Sequence, residues 1–282
     1  MRLILIITKL DAGGMERFSA TLCNALKVQG RPCTLVALYA AAPGGSREWL
    51  DPGVEYVELH RAARVAWRSL MRLCRASPHD PVLALGLEIC AVLVTLKRLG
   101  LITNPVVYRE STAVLKHYTV FWKKIIQWFV SRTDGLIVQS RQAWEDLQTL
   151  VGIRQPMRLI RNPCAYMGLE SQPSFRVPRN GDAIKLLSVG RLDVMKGHSR
   201  LLDAMSVVRQ RFPEATLTVA GTGALAESLR RQTGKLNLGD CVRWLGYVPD
   251  PSPLYREANL FVLPSLYEGL SNALIEALAL GC

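Results

Sequence analysis

Two basic residues, Arg191 and Lys196, stand five positions apart in the run SVGRLDVMKGHSR, flanked by Gly190 and Gly197. The run leaves an apolar β-branched stretch and enters an amphipathic one, the pattern of a strand turning into a helix. Two cations at a helix start can together neutralise a diphosphate. Two surface cations beside a turn are also commonly just solvated, so the pair alone leaves both readings open. A second constellation is LYEGLSNALIEALALG, which follows an apolar strand and Pro264. Glu268 falls in the loop, and Gly269, Leu270 and Ser271 lead into a helix whose free amides face the carboxyl end of that strand. Asn272 and Glu276 lie four apart on one helix face, with Leu274 and Leu278 expected on the buried one. As a glycosidase pair the two glutamates reach too far: eight helical residues span roughly 12 Å. Even the wider inverting arrangement needs its carboxyls about 6.5–9.5 Å apart. Separate contacts on one extended ligand fit better. A third turn, LDAGGMER, sets Gly13 and Gly14 ahead of a helix. Glycines there allow close approach of the backbone, and the helix start favours an anion. A glycine pair alone serves equally well as a tight turn.

These residues need a scaffold, and the chain shows one in two rounds. Short strand-like runs at Leu3–Ile7, Thr34–Leu38, Val54–Leu59, Val82–Leu85, Val106–Tyr108, Leu136–Val138 and Met157–Ile160 alternate with amphipathic stretches. In the first such stretch Met15, Phe18, Leu22 and Leu26 recur at helical spacing, and Gly30 ends it. Ser140 opens another as an N-cap. The alternation lapses in a Pro-, Gly- and Ser-rich segment, then resumes with strands Ile184–Val189, Thr216–Ala220, Val242–Leu245 and Leu260–Leu263. Helices are expected over His198–Gln210, Ala224–Leu236 and Ser271–Leu280. The architecture expected is α/β with mainly parallel sheets. Its divisions are a first domain over 1–165, a linker over 166–182 and a second domain over 183–282. Four strands are few for a doubly wound sheet, so the second domain is expected to be incomplete, cut short at the C-terminus.

Composition narrows the class. Nearly half the residues are hydrophobic and 21% are charged, which is globular. Seven scattered cysteines without a C-x-x-C read as thiols in a reducing compartment. The N-terminal MRLILII is too short an apolar run for a secretion signal, and the longest, Val82–Leu96, is interrupted by Glu88. The net charge of +12 calls for an anionic partner. No nucleic-acid motif is present, so anionic lipid and anionic substrate are the candidates. Arg61, Arg64, Arg68, Arg72 and Arg75 recur at helical steps, opposite Val65, Leu70 and Leu73. KHYTVFWKKIIQWF mixes Lys116, Lys123 and Lys124 with Tyr118, Phe121, Trp122, Trp128 and Phe129. Both stretches read as basic amphipathic helices able to lie on an anionic bilayer.

The ordered set GGMER, VGRL…KG, VAGTG, LGYV and EGLSNALIE resembles the retaining glycosyltransferases of family 4 across essentially the whole chain. The resemblance implies the GT-B fold, two Rossmann-like domains whose parallel sheets face a central cleft. It implies transfer of a hexose from a nucleotide-diphosphate sugar to a lipid-linked or polysaccharide acceptor with retention of configuration, in cell-surface glycan biosynthesis. The donor is a substrate, and neither cofactor nor metal is expected. By the resemblance Arg191 and Lys196 hold the diphosphate and stabilise leaving-group charge, and Glu268 holds sugar hydroxyls. Glu276, with Asn272 on the same face, serves the ribose. The amides of Leu270 and Ser271 meet phosphate next to Gly190 and Gly269. The Gly246, Tyr247 and Val248 turn contacts the base. Gly13 and Gly14 approach from the other domain. Many relatives carry histidine where this chain has Arg109, a possible contact to acceptor or sugar. The expected partners are the nucleotide sugar, a glycan or polyprenyl-linked acceptor and an anionic membrane, placing the protein in the cytoplasm at the inner membrane face. The alternative is a non-catalytic relative that binds lipid or a partner protein.

Overall fold

The computed structural model describes residues 1–11, 13–40, 46–110, 119–151, 155–164 and 183–282. They divide into two compact units, Met1–Pro163 and Cys164–Cys282. The expected linker 166–182 lies outside the described residues, as do Lys116 and Tyr118.

In the first unit the elements run β1 (Leu3–Ile7), α1 (Gly14–Val28), β2 (Cys33–Ala37), β3 (Glu55–Glu58), α2 (Trp67–Ala76), β4 (Val82–Leu85) and α3 (Leu87–Arg98). They continue with β5 (Val106–Glu110), α4 (Val120–Val130), β6 (Gly135–Val138), α5 (Arg141–Val151) and β7 (Met157–Leu159). All the strands are parallel, in the order β3-β2-β1-β4-β5-β6-β7. Central strands covered on both faces have no polar side, which is why β1, β2 and β4 are apolar runs without alternation. Leu5 sits between Leu35 and Leu83 in register. One face packs on α1 through Phe18, Ala20 and Cys23. The other carries Leu70 of α2, Leu93 of α3, Ile126 of α4 and Leu147 of α5. The order reverses between β1 and β4, and ligand crevices in such sheets open at the carboxyl ends of that pair. The Gly13–Gly14 turn follows β1 there.

In the second unit β8 (Lys185–Val189), α6 (His198–Arg211), β9 (Thr216–Ala220), α7 (Ala226–Lys235), β10 (Val242–Gly246), α8 (Ser252–Glu257), β11 (Leu260–Phe261) and α9 (Asn272–Ala279) build a parallel sheet ordered β10-β9-β8-β11. Leu201, Leu202 and Met205 of α6 and Leu229 of α7 pack one face, while Tyr255 of α8 and Ala277 and Leu280 pack the other on Leu187. Here the order reverses between β8 and β11. The loops that follow those two strands carry the cations and the acidic motif.

Two expectations are corrected. The arginines Arg61–Arg75 do not share one helix: α2 starts at Trp67, and residues 61–66 turn into it through hydrogen bonds such as Ala66 N–H to the Ala62 carbonyl. Only Arg68, Arg72 and Arg75 are helical. Val65, expected on the buried side, is exposed, because the face is selected by Ala63, Ala66 and Leu70 packing below. In α9 the faces are exchanged. Glu276 is buried, at 4% exposure, while Leu274 and Leu278 face outward, Leu278 at 60%. The helix has apolar residues on more than one side, so periodicity could not choose. Ala277 and Leu280 fit against Leu187 and Tyr255, and the Tyr255 hydroxyl donates to the Glu276 carboxylate at 3.1 Å, which makes its burial tolerable.

Candidate functional site

The second unit gathers its candidate residues on three tied loops. The Gly190 amide donates to the Ala220 carbonyl at 3.0 Å, and Leu192 to Thr222 at 2.8 Å. The Leu225 amide returns to the Leu192 carbonyl at 2.9 Å, and the Leu266 amide reaches Met195 at 2.8 Å. The loops after β8, β9 and β11 are thereby one layer. Glycine permits this closeness. A Cβ on Gly197, whose φ is +68°, would run into the Pro264 carbonyl oxygen, and one on Gly221, at φ +150°, into that of Gly190.

Asp193 sets the orientation of both cations. It caps the short turn Val194–Lys196, its carboxylate accepting from the Lys196 amide at 3.1 Å, and it meets the Arg191 Nε at 3.5 Å. Arg191 remains largely exposed. Lys196 Nζ reaches Glu268 Oε1 at 2.5 Å, joining the β8 loop to the β11 loop across the switch point. Both groups are half-buried, where a charge pair is stronger than on an open surface yet still open to exchange. Ser271 caps α9, its hydroxyl accepting from the Leu274 amide at 3.4 Å, so the helix amides begin beside Glu268. Gly246 ends β10 and Tyr247 and Val248 follow it, two strands from β8 and hence about 10 Å away. The edge suits an extended anionic ligand: cations after β8 in the middle, carboxylates after β11 on one side and the Gly246–Val248 turn on the other.

Sequence reasoning passed over three supporting residues. His198 is buried beneath the cation loop, its Nε2 3.5 Å from the Ser188 hydroxyl and its Nδ1 without a hydrogen-bond partner among the described residues. Burial pushes its pKa down to about 4, with Asp193 opposing and Lys196 assisting. Asp193 had a readable signal, an N-cap residue three before Lys196. Tyr255, which holds Glu276, had none.

The first unit treats its candidates differently. Arg109 lies at the end of β5, almost wholly buried, its guanidinium 3.7 Å over the Phe18 ring and donating to Asn162. Its Nε has no hydrogen-bond partner among the described residues. Burial holds its pKa down to about 10, partly offset by Glu110. Beside it the Tyr108 hydroxyl donates to Glu110 at 2.8 Å. At the start of α1 the Glu16 carboxylate folds back against Gly13, so the helix terminus expected to attract an anion has one of its own. Among the described residues no group of three or more His, Cys, Asp or Glu side chains is placed to hold a metal ion, and no helix is long and apolar enough to cross a membrane.

Residues 172–282 match the family described as Glycosyl transferases group 1. An uncharacterized glycosyltransferase of Methanocaldococcus jannaschii is 29% identical over 160 residues, 55% of this chain and 39% of that protein. The Campylobacter jejuni enzyme named N-acetylgalactosamine-N,N'-diacetylbacillosaminyl-diphospho-undecaprenol 4-alpha-N-acetylgalactosaminyltransferase is 36% identical over 97 residues, 34% of this chain and 26% of that one. The chain thus aligns with well under half the length of these relatives. Anabaena HepE, solved with UDP-glucose, superposes with a TM-score of 0.77 at 17% identity, covering 100% of this chain and 79% of that one. At that identity the likeness shows the fold, which is GT-B.

Proposed function

We infer, from a second unit that carries the group 1 glycosyltransferase match, that the protein transfers a hexose from a nucleotide-diphosphate sugar to a lipid-linked or polysaccharide acceptor, with retention and without a metal. The observation that carries the reading is the Lys196–Glu268 pair bridging the switch-point loops, with Arg191 exposed on the same loop. When a donor binds, its diphosphate displaces Glu268 from Lys196. The cations then face the phosphates, where negative charge grows as the sugar leaves. Glu268, released, accepts from sugar hydroxyls, and Glu276 with Asn272 takes the ribose. The Leu270 and Ser271 amides meet phosphate. The Gly246–Val248 turn lies far enough along the edge to reach the base. Gly13 and Gly14 approach the donor from the other domain, and Arg109 serves the acceptor or the transferred sugar through Phe18 and Asn162, not by open contact. Relatives support both ends of the reaction: one solved protein holds UDP-glucose, and the Campylobacter enzyme is named for a diphospho-undecaprenol acceptor. With a lipid-linked acceptor and a nucleotide-sugar donor, the protein would work at the cytoplasmic face of a membrane.

The test is a screen of UDP-, GDP- and ADP-sugars by nucleotide release, with and without chelator, followed by NMR of the product anomer. Release from one donor that survives chelation and yields a retained anomer is expected. No release from any donor would remove the enzyme reading, an inverted product the retention, and rescue by a divalent ion the metal independence.

A further inference from the structure

The helices α2, α3 and α4 form one layer of the first unit, α3 touching both neighbours. Each is a crossover between parallel strands, so all three run back against the sheet with their N-termini at its carboxyl edge. At that edge α4 exposes an unusual set of side chains: Val120 is 72% exposed, Phe121 68% and Trp122 48%. Lys124 lies among them, and Trp128, also exposed, continues the face two turns on beneath the Arg132 guanidinium at 4.3 Å. Phe121 and Trp122 meet edge to face at 6.1 Å. The inner side of α4 is ordinary core, Ile126 and Val130. The start of α2 repeats the theme with exposed Val65, Trp67 and Arg68, the guanidinium 5.0 Å over the indole, and Arg72 exposed a turn later. Neither α2 nor α4 contains an acidic residue. Between them, at the start of α3, Glu88 is the exposed acid at this end, against Arg68, Arg72 and Lys124 on the flanking helices. Outward aromatics beside this basic excess fit a headgroup interface, where rings enter the acyl boundary and cations meet lipid phosphate.

We propose that the first unit docks on an anionic bilayer by the N-terminal end of α4, with Val120, Phe121 and Trp122 entering the interface and Lys124, Arg68 and Arg72 binding lipid phosphates. The inference rests on the reading of a membrane-linked acceptor and sharpens it. The end that enters the bilayer is the sheet edge where the Gly13–Gly14 turn lies, so an acceptor whose lipid stays in the membrane can offer its sugar head to that edge. The arginine run 61–75 contributes charge, while α4 supplies the anchor.

The experiment uses the full chain and vesicles of phosphatidylcholine with or without phosphatidylglycerol, by sedimentation, with no nucleotide sugar present, so its outcome is independent of the donor chemistry. Binding is expected only with phosphatidylglycerol. Phe121→Ser with Trp122→Ser, both on exposed positions, lowers partitioning by about tenfold or more at low and high salt alike. Lys124→Gln with Arg68→Gln lowers it by a similar factor at low salt and little at high salt, because screening removes that contribution from the parent as well. The thermal melts of all variants stay at that of the parent. The proposal is overturned if the parent binds no vesicle, if the aromatic pair binds as the parent does, or if the same substitutions abolish a lipid-free dimer, which would make α4 an interface between copies.

Discussion

Each unit places cations at the carboxyl edge of its parallel sheet, and the two units hold them in opposite ways. In the second unit Arg191 is largely exposed and Lys196 half-buried, each countered by a carboxylate that can turn away, Asp193 or Glu268. In the first, Arg109 is sealed under Phe18 and held by Asn162, with Glu110 of its own strand as the neighbouring charge. A charge meant for a ligand must be cheap to uncover; a charge that is part of the packing must not be. Residue type alone does not separate these roles. Counter-charge and exposure do.

The comparison breaks first at the second unit. Lys196→Ala and Arg191→Ala, made in a form of the protein with measurable transfer, should each lower turnover by at least about two orders of magnitude, the usual 2.7–4 kcal/mol for one preorganised charge. Their melts should hardly move, since half-exposed ion pairs add little stability. Nucleotide release and a thermal scan on the same samples check both halves. Turnover near that of the parent in both variants would take the cations out of the mechanism and leave the loop a solvated turn.

Arg109 should show the reverse. Arg109→Ala empties a fully buried site and removes the hydrogen bond to Asn162, so the first unit should lose about 3 kcal/mol in urea unfolding. Lysine should not restore it, because an ammonium cannot lie flat on Phe18 while reaching Asn162. A stable Arg109→Ala protein with a changed KM for acceptor would instead make Arg109 a binding group and erase the contrast.

How far the sequence carried is visible at single elements. The runs Leu3–Ile7 and Val82–Leu85 are bounded as the structure has them, because buried parallel strands are apolar from end to end; Thr216–Ala220 is bounded as well, by its β-branched alternation. Helices failed where more than one side is apolar or where a basic repeat ran past a helix start, at Leu274 and Leu278 in α9 and at Arg61 and Arg64 before α2. Spacing reports periodicity, while the choice of buried face is made by the partner, here Tyr255 and Leu187. The turns that carry Arg191, Lys196 and Glu268 are legible from their glycines. That Lys196 and Glu268 touch is a product of topology, since 72 residues separate them. His198 was invisible because its role depends wholly on what covers it.

His198 supplies the smallest and sharpest test of the contrast. It is the buried titratable group directly under the exchangeable cations, facing Ser188 from β8 and sensing Asp193 and Lys196 on its own loop. Burial lowers its pKa from 6.5 to about 4. Between those values the unfolded chain binds a proton that the folded chain refuses, so stability rises with pH through the window and falls as acid is added. The contribution is fully present above about pH 6.5. By about pH 5 it should have cost the second unit about 2 kcal/mol, and below the folded pKa the loss saturates. Carboxylates titrate in the same range, so the parent curve alone cannot assign the effect. Subtracting the curve of His198→Leu, which keeps the bulk and removes the proton, leaves the imidazole's share. Urea midpoints of both proteins at neutral pH and near pH 5 give that difference, and an imidazole proton followed by NMR gives the pKa directly. Should the two curves stay parallel, or the imidazole titrate near its ordinary value, the cation loop is open to water from beneath. The second unit would then hold its charges on a mobile turn, not on the rigid layer that Gly190, Gly197 and Gly221 close.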